Sequence, residues 1–119
     1  MSPGGPGNCV FCRVIAGELP SREAYSGALT YAFHDLRPVA PVHVLVVPRE
    51  HIADATQVGD EHAPVMVEMI VAARAVAERE GIFDTGYRLA FNIGRDSGAE
   101  VAHLHMHVLG GRRLGWPPG

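Results

Sequence analysis

The chain has 119 residues, 47% of them hydrophobic, and its ten basic and 13 acidic residues give a formal net charge of −3. That length accommodates one domain with a sizeable core, and the acidic balance argues against a nucleic-acid-binding surface. No apolar run approaches the roughly 20 residues that cross a membrane.

Residues 1–8 are Gly/Pro-rich, with neither a basic start nor an apolar stretch, so they read as a disordered leader and not as a signal peptide. The expected folded domain is 9–119. With no export signal the expected compartment is the cytoplasm, where Cys9 and Cys12 stay reduced. Cys9-Val10-Phe11-Cys12 opens the ordered part. No strand precedes it, as a thioredoxin-like redox pair would require, and half of a four-ligand metal site fits the spacing better. Phe11 to Ala16 reads as a short helix stopped by Gly17 and Pro20.

Ser21–Tyr25 and Leu29–Asp35 alternate loosely and flank Ser26-Gly27, which predicts a hairpin. Pro38 and Pro41 bracket a turn. His43-Val44-Leu45-Val46-Val47-Pro48 is apolar on both faces apart from His43, the pattern of a strand in the middle of a sheet. From Asp60 to Glu80, Val65, Met66, Met69, Ile70, Ala73, Val76 and Ala77 recur at helical steps. Asp60 is the expected N-cap, Pro64 sits in the first turn, and Gly81 ends the helix. Arg88–Ile93 reads as another strand, and Gly94 to Gly98 as a turn whose backbone N–H groups could approach an anion.

The turn leads into His103-Leu104-His105-Met106-His107-Val108-Leu109. On a strand the three histidines share one face, while Ala102, Leu104, Met106 and Val108 point to the core. On a helix, at about 100° per residue, the imidazoles would scatter. Such a face can be a solvated polar surface, a set of metal ligands, or a nucleophilic His between neighbours that manage its protons. The pattern alone leaves all three open. In total the chain predicts an α+β domain with one short helix, one long helix and about five mostly antiparallel strands.

Taken together, Phe33-His34-Asp35, Pro41-Val42-His43, Val46 to Ile52, Asn92-Ile93-Gly94, the His103 to His107 run, Gly110-Gly111-Arg112 and Trp116-Pro117-Pro118-Gly119 resemble the Hint branch of the histidine-triad (HIT) superfamily. The resemblance spans Cys9 to Gly119. It implies the HIT fold, with sheets joined across a homodimer, and a purine nucleoside phosphoramidase-like enzyme. Such an enzyme binds AMP- or GMP-type nucleotides and acts at the α-phosphate through a nucleotidyl-histidine intermediate. By resemblance, His105 is the nucleophile, and His43 and His107 complete the catalytic set. Phe11, Phe33, His34, Asp35, Leu36 and Leu45 would hold base and ribose. Asn92, Gly98, Ala99, Glu100, His105 and His107 would surround the phosphate, and Trp116 would reach a partner's nucleotide site. Zinc-containing bacterial relatives imply a structural zinc on Cys9, Cys12, His51 and His103, with no catalytic metal. The expected partners are a nucleotide and a second copy, with no nucleic acid or membrane.

Two positions depart from the family pattern. Ala99-Glu100 stands where relatives carry polar donors, so position 100 offers no hydroxyl to a leaving group. Ala102 replaces the usual aromatic before the first His. Two rivals remain beside the enzyme: a nucleotide-sensing or protein-docking module with vestigial catalysis, and a zinc hydrolase using His103, His105 and His107 together.

Overall fold

A computed structural model describes residues 7–119; most of the leader expected over 1–8 lies outside the described residues. Gly7 and Asn8 form a turn ahead of helix α1, Val10–Ile15. Cys9 caps α1 by accepting the Cys12 N–H on its sulfur at 3.4 Å. A hairpin follows, strand β1 Glu23–Ser26 and strand β2 Thr30–His34. Then come β3 Val42–Pro48, the long helix α2 Ala63–Arg79, β4 Tyr87–Ala90 and β5 Met106–Gly110. The five strands form one antiparallel sheet in the order β1-β2-β3-β5-β4. The architecture is α+β, as the sequence predicts.

Alternation along the strands gives the sheet two unlike faces. Ala32, Val46 and Met106 stand opposite one another across β2, β3 and β5 and meet Met69, Ala73 and Val76 of α2 in the main core. These side chains are fully buried, each contributing about 1.5–3 kcal/mol for the larger ones. On the other face Phe33, Leu45, His107 and Ala90 form one continuous rung across four strands. Phe33 and Leu45 join Phe11, Cys9 and Val47 in a second, smaller cluster beneath α1. β3 is buried along most of its length because both clusters use it.

Several boundaries differ from the expected ones. Asp60 does not cap α2. It begins a 3-10 turn, Asp60–His62, and His62 occupies the N-cap position, with its Nδ1 accepting the Gly59 N–H at 2.9 Å. The pattern that marked α2 lacks any signal separating a 3-10 turn from the first α-turn. Gly81 terminates the helix as expected, at φ 77°. β4 stops at Ala90, leaving Asn92 and Ile93 in the loop. β5 starts at Met106, so His103 and His105 precede it. Ala102 is exposed instead of facing the core, because regular pairing has not begun there. Met69 is wholly buried against the sheet, whereas Ile70, its neighbour in sequence, is 49% exposed. Among the described residues no helix is long and apolar enough to cross a membrane.

Candidate active site and metal cluster

The sheet face opposite α2 carries a cleft of about 710 Å³, well within the size range of small-ligand sites. Phe11, Phe33 and Leu45 form its apolar floor, with the two phenyl rings edge to face at 5.5 Å. Asp35 and the 94%-exposed Leu36 line it beside His43, the Asp35 carboxylate 3.3 Å from His43 Nε2. Asn92, the Gly98 to Val101 loop, His105 and His107 complete the lining. The structure thus gathers most of the expected nucleotide-site residues around one cavity.

Two do not join it. His34 lies on the α2 face of β2, where its Nδ1 accepts from Arg22 at 3.1 Å and its Nε2 is 4.0 Å from Glu80. This corrects the expectation for His34: Phe33 and Asp35 point into the cleft, so the residue between them must point away. Trp116, at 79% exposure, sits in the tail outside the cleft, with the Arg88 guanidinium 5.8 Å from its ring centre. Sequence reasoning missed Val10, Arg37, Val39 and Val101, which also line the cleft.

Hydrogen bonding fixes which nitrogen each histidine presents. His105 Nδ1 lies 2.7 Å from the His103 carbonyl oxygen. A carbonyl only accepts, so Nδ1 carries the hydrogen and the Nε2 lone pair is free. Phe11 packs edge-on against the His105 ring at 5.2 Å and limits its tilt. The Val39 N–H donates to His43 Nδ1 at 3.1 Å, which places the His43 proton on Nε2. That nitrogen is 2.9 Å from His107 Nδ1 and 3.3 Å from Asp35 Oδ2. His107 Nδ1 must then accept, so neutral His107 carries its proton on Nε2. Asn92 Nδ2 lies 3.3 Å from that Nε2; with its amide turned over, Asn92 presents Oδ1 to the Nε2–H. One backbone amide, that of Val39, therefore sets the tautomers of both rings.

Electrostatics keep the pair neutral. Burial pushes the His107 pKa down to about 4, and the His105 and His43 rings beside it act in the same sense. His43 is also lowered, by burial first, although the Asp35 carboxylate opposes the shift. Both rings are uncharged at pH 7.

The loop expected to supply anion-binding N–H groups is partly engaged with itself. Gly98 N–H bonds the Arg95 carbonyl, and Ala99 N–H bonds the Ser97 hydroxyl at 3.2 Å. Among the hydrogen bonds of the described residues, none uses the Glu100 N–H. Gly98 makes the turn at φ 83°, a backbone conformation that favours glycine. The Glu100 side chain is exposed.

Beneath α1, Cys9, Cys12, His51 and His103 bring their four donor atoms within 4.8 Å of one another, a possible metal site. Cys9 Sγ is 3.3 Å from His103 Nδ1, Cys12 Sγ is 3.3 Å from His51 Nδ1, and the two Nδ1 atoms are 3.2 Å apart. His103 is fully buried and donates from Nε2 to the Pro48 carbonyl at 2.9 Å, which turns the Nδ1 lone pair toward the sulfurs. His103 is thus drawn off the cleft into this cluster, while His105 and His107 line the cleft.

Five antiparallel strands, a long covering helix and linked imidazoles on the open sheet face define an α+β fold of the histidine-triad type. The HIT domain family matches residues 16–114, and the chain belongs to that family. The chain is 44% identical over 106 residues to the purine nucleoside phosphoramidase of Escherichia coli, covering 89% of each chain. It is 41% identical over 110 residues to a HIT-like protein of Synechococcus elongatus, covering 92% of this chain and 96% of that one. Among solved structures, a HIT family hydrolase from Legionella pneumophila superimposes with a TM-score of 0.91 at 41% identity, over 94% of this chain and 100% of that one.

Proposed function

We propose that this chain hydrolyses purine nucleoside 5′-phosphoramidates at the α-phosphate through a nucleotidyl intermediate on His105. The observation that carries the proposal is the pairing of a free, oriented His105 Nε2 with a neighbouring imidazole that presents an N–H donor. The 44% identity to a purine nucleoside phosphoramidase supports the substrate class. Phe11, Phe33 and Leu45 supply an apolar seat for a base, and Asp35 an acceptor for ribose hydroxyls. His105 Nε2 forms a bond to phosphorus as the phosphorus–nitrogen bond breaks. The electron pair leaves with the amine, which takes a proton from solvent, while the neutral His43 and His107 rings keep their N–H protons. His107 Nε2–H and the Glu100 N–H bond the phosphoryl oxygens as their charge develops. Water then attacks phosphorus, His105 departs, and the proton of the attacking water passes to solvent as the nucleoside monophosphate is released.

The Cys/His cluster fits a structural zinc. With zinc–sulfur and zinc–nitrogen distances of about 2.3 and 2.0–2.1 Å, a tetrahedral site has ligand-to-ligand edges of about 3.3–3.8 Å, close to the observed 3.2–3.5 Å. Without a cation, burial and the adjacent Cys9 sulfur push the Cys12 thiol up to about 11; a bound metal ion favours the thiolate instead. Four protein donors leave no open position for water, so the ion would tie α1 to the segments carrying His51 and His103 and take no part in the reaction. A homodimer and a cytoplasmic location belong to the same reading. Val67, Ile70 and Val71 of α2 and Leu89 of β4 are exposed apolar side chains that a second copy would cover, and the two cysteines form no disulfide.

The test is release of ammonia from adenosine 5′-phosphoramidate by wild type and His105→Gly, with acid quenching to trap label on the protein. Wild type should turn over and trap label. The variant should do neither while still binding AMP, because base and ribose contacts lie elsewhere. Wild-type turnover by the variant would reject His105 as nucleophile. No turnover of any nucleotidyl compound by wild type would favour the nucleotide-binding module.

A further inference from the structure

A second cavity, about 470 Å³, opens from the far side of His107. It shares Val39, His43, Asn92 and His107 with the nucleotide cleft but is not lined by His105. Strand register shows how it extends. On the open face of β5, His107 is followed two residues on by Leu109, roughly 7 Å farther along the strand. Leu109 is paired with Arg88 of β4, so Arg88 stands on this face one rung beyond His107. Arg112 closes the same cavity, its guanidinium donating to the Val39 carbonyl at 3.0 Å and to the Arg113 carbonyl at 3.2 Å. Leu114, Gly115 and Pro117 to Gly119 of the tail complete the lining.

The charge of this cavity differs from that of the cleft. The cleft contains Asp35 and Glu100, whereas no Asp or Glu lines the second cavity. Among the described residues the one Arg–carboxylate ion pair is Arg95 with Asp96, so Arg88 and Arg112 face the cavity without a carboxylate partner. Arg112 spends one N–H of each terminal nitrogen on a carbonyl, so Arg88 is the fork suited to engage an oxyanion with two parallel hydrogen bonds, with Arg112 adding positive charge beside it.

Phosphoryl transfer requires the attacking and departing atoms to lie roughly in line. With His105 on one side of the phosphorus and His107 beside it, the departing group points away from His105, along β5 toward Arg88 and Arg112. We infer that this cavity is the leaving-group subsite, and that it selects amines carrying an oxyanion a few bonds from the scissile nitrogen. The inference rests on the phosphoramidase reading. It adds a class of leaving group to that reading and assigns Arg88 and Arg112 as specificity-determining residues.

Three adenosine 5′-phosphoramidates test it, built on β-alanine, on phosphoethanolamine and on the neutral amide of β-alanine. The assay compares kcat/KM for wild type, Arg88→Gln and Arg112→Gln. Wild type should prefer at least one oxyanion substrate over the neutral amide by about tenfold, the scale of one charge-assisted hydrogen bond. Which of the two is preferred identifies the oxyanion as carboxylate or phosphate. Either substitution should bring the ratio to about one while leaving turnover of the neutral amide within about twofold, and added salt should shrink the wild-type ratio. The two arginines lie on different segments, so if one variant fails to fold the other still decides.

Equal wild-type rates on all three substrates would overturn the subsite and leave the phosphoramidase reading intact. If wild type hydrolyses none of them and releases no ammonia from adenosine 5′-phosphoramidate either, the phosphoramidase reading fails. Calorimetric affinities of the same compounds for His105→Gly then decide the subsite alone: tighter binding of an oxyanion compound upholds it, and equal binding overturns it.

Discussion

Replacing His43 with alanine isolates the role of the Val39–His43–His107 chain. In the native protein Val39 N–H fixes the His43 proton on Nε2, and His43 Nε2–H fixes the His107 proton on its own Nε2. Without the His43 ring, His107 is free to carry its proton on Nδ1. Its Nε2 lone pair would then face the phosphoryl oxygens, replacing an attractive contact by a repulsive one. A hydrogen bond to a charged group contributes about 1.5–3 kcal/mol, so kcat/KM should fall by about 10²-fold. The stranded Val39 N–H and the vacated volume should also cost about 1–3 kcal/mol of stability, read as a lower melting temperature. His43→Gln separates donation from mere space filling, because a Gln amide N–H reaches about as far as Nε2 and can still donate to His107. It should recover activity to within about tenfold of wild type, the difference reflecting the lost acceptor for Val39. The assay is initial-rate ammonia release from adenosine 5′-phosphoramidate, with melting curves as a folding control. An alanine variant within threefold of wild type, or a Gln variant as slow as the alanine one, would refute the tautomer chain.

Three further outcomes follow from the same geometry. Elemental analysis should find close to one zinc per chain, lost in Cys9→Ser, and chelation should lower the melting temperature; metal-free protein from zinc-replete culture with an unchanged melt under EDTA would reject the site. Light scattering should give about twice the 12.7 kDa chain mass, and deleting 114–119 should alter leaving-group preference more than melting temperature; a monomer, or unchanged kinetics, would count against the dimer or the tail respectively. Acid should destabilise the fold. The folded His107 pKa of about 4 lies below the ordinary 6.5, so the unfolded chain binds the extra proton and stability is lost as pH falls from about 6.5 toward 4. By pH 5 this ring alone should cost about 1–2 kcal/mol, and His107→Gln should lose correspondingly less stability between pH 7 and 5; identical pH dependence in the two proteins would contradict the assignment.

The sequence shows the site where side-chain periodicity carries it. Leu104, Met106 and Val108 alternate with His105 and His107 because one face of the sheet lies on α2, and period two is the direct imprint of that burial. The same rule, applied to Phe33-His34-Asp35, places His34 on the helix face, so the sequence contained the signal that separates it from the cleft. Other features left no such imprint. The pairing of Leu45 with His107 joins residues far apart in the chain through register alone. The Val39 amide and the His103 carbonyl act as backbone groups, and a backbone donor looks the same whatever its residue type. His103 belongs to the period-two series by spacing, yet it precedes the first paired residue of β5 and is free to turn into the cysteine cluster.

His103 consequently works at two levels. Its ring closes the Cys9–Cys12–His51 set, while its carbonyl oxygen, 2.7 Å from His105 Nδ1, holds the tautomer that frees the His105 Nε2 lone pair. Phe11 links the same two centres from the other side. It lies on α1 between the two cysteines and packs edge-on against both His103, at 5.9 Å, and His105, at 5.2 Å. Anything that draws the four donor atoms together therefore fixes the carbonyl and the phenyl ring that set the tautomer and tilt of His105. A metal held in this position would act on the proposed reaction through geometry: it would leave the reacting atoms to the other histidines and determine where His105 points.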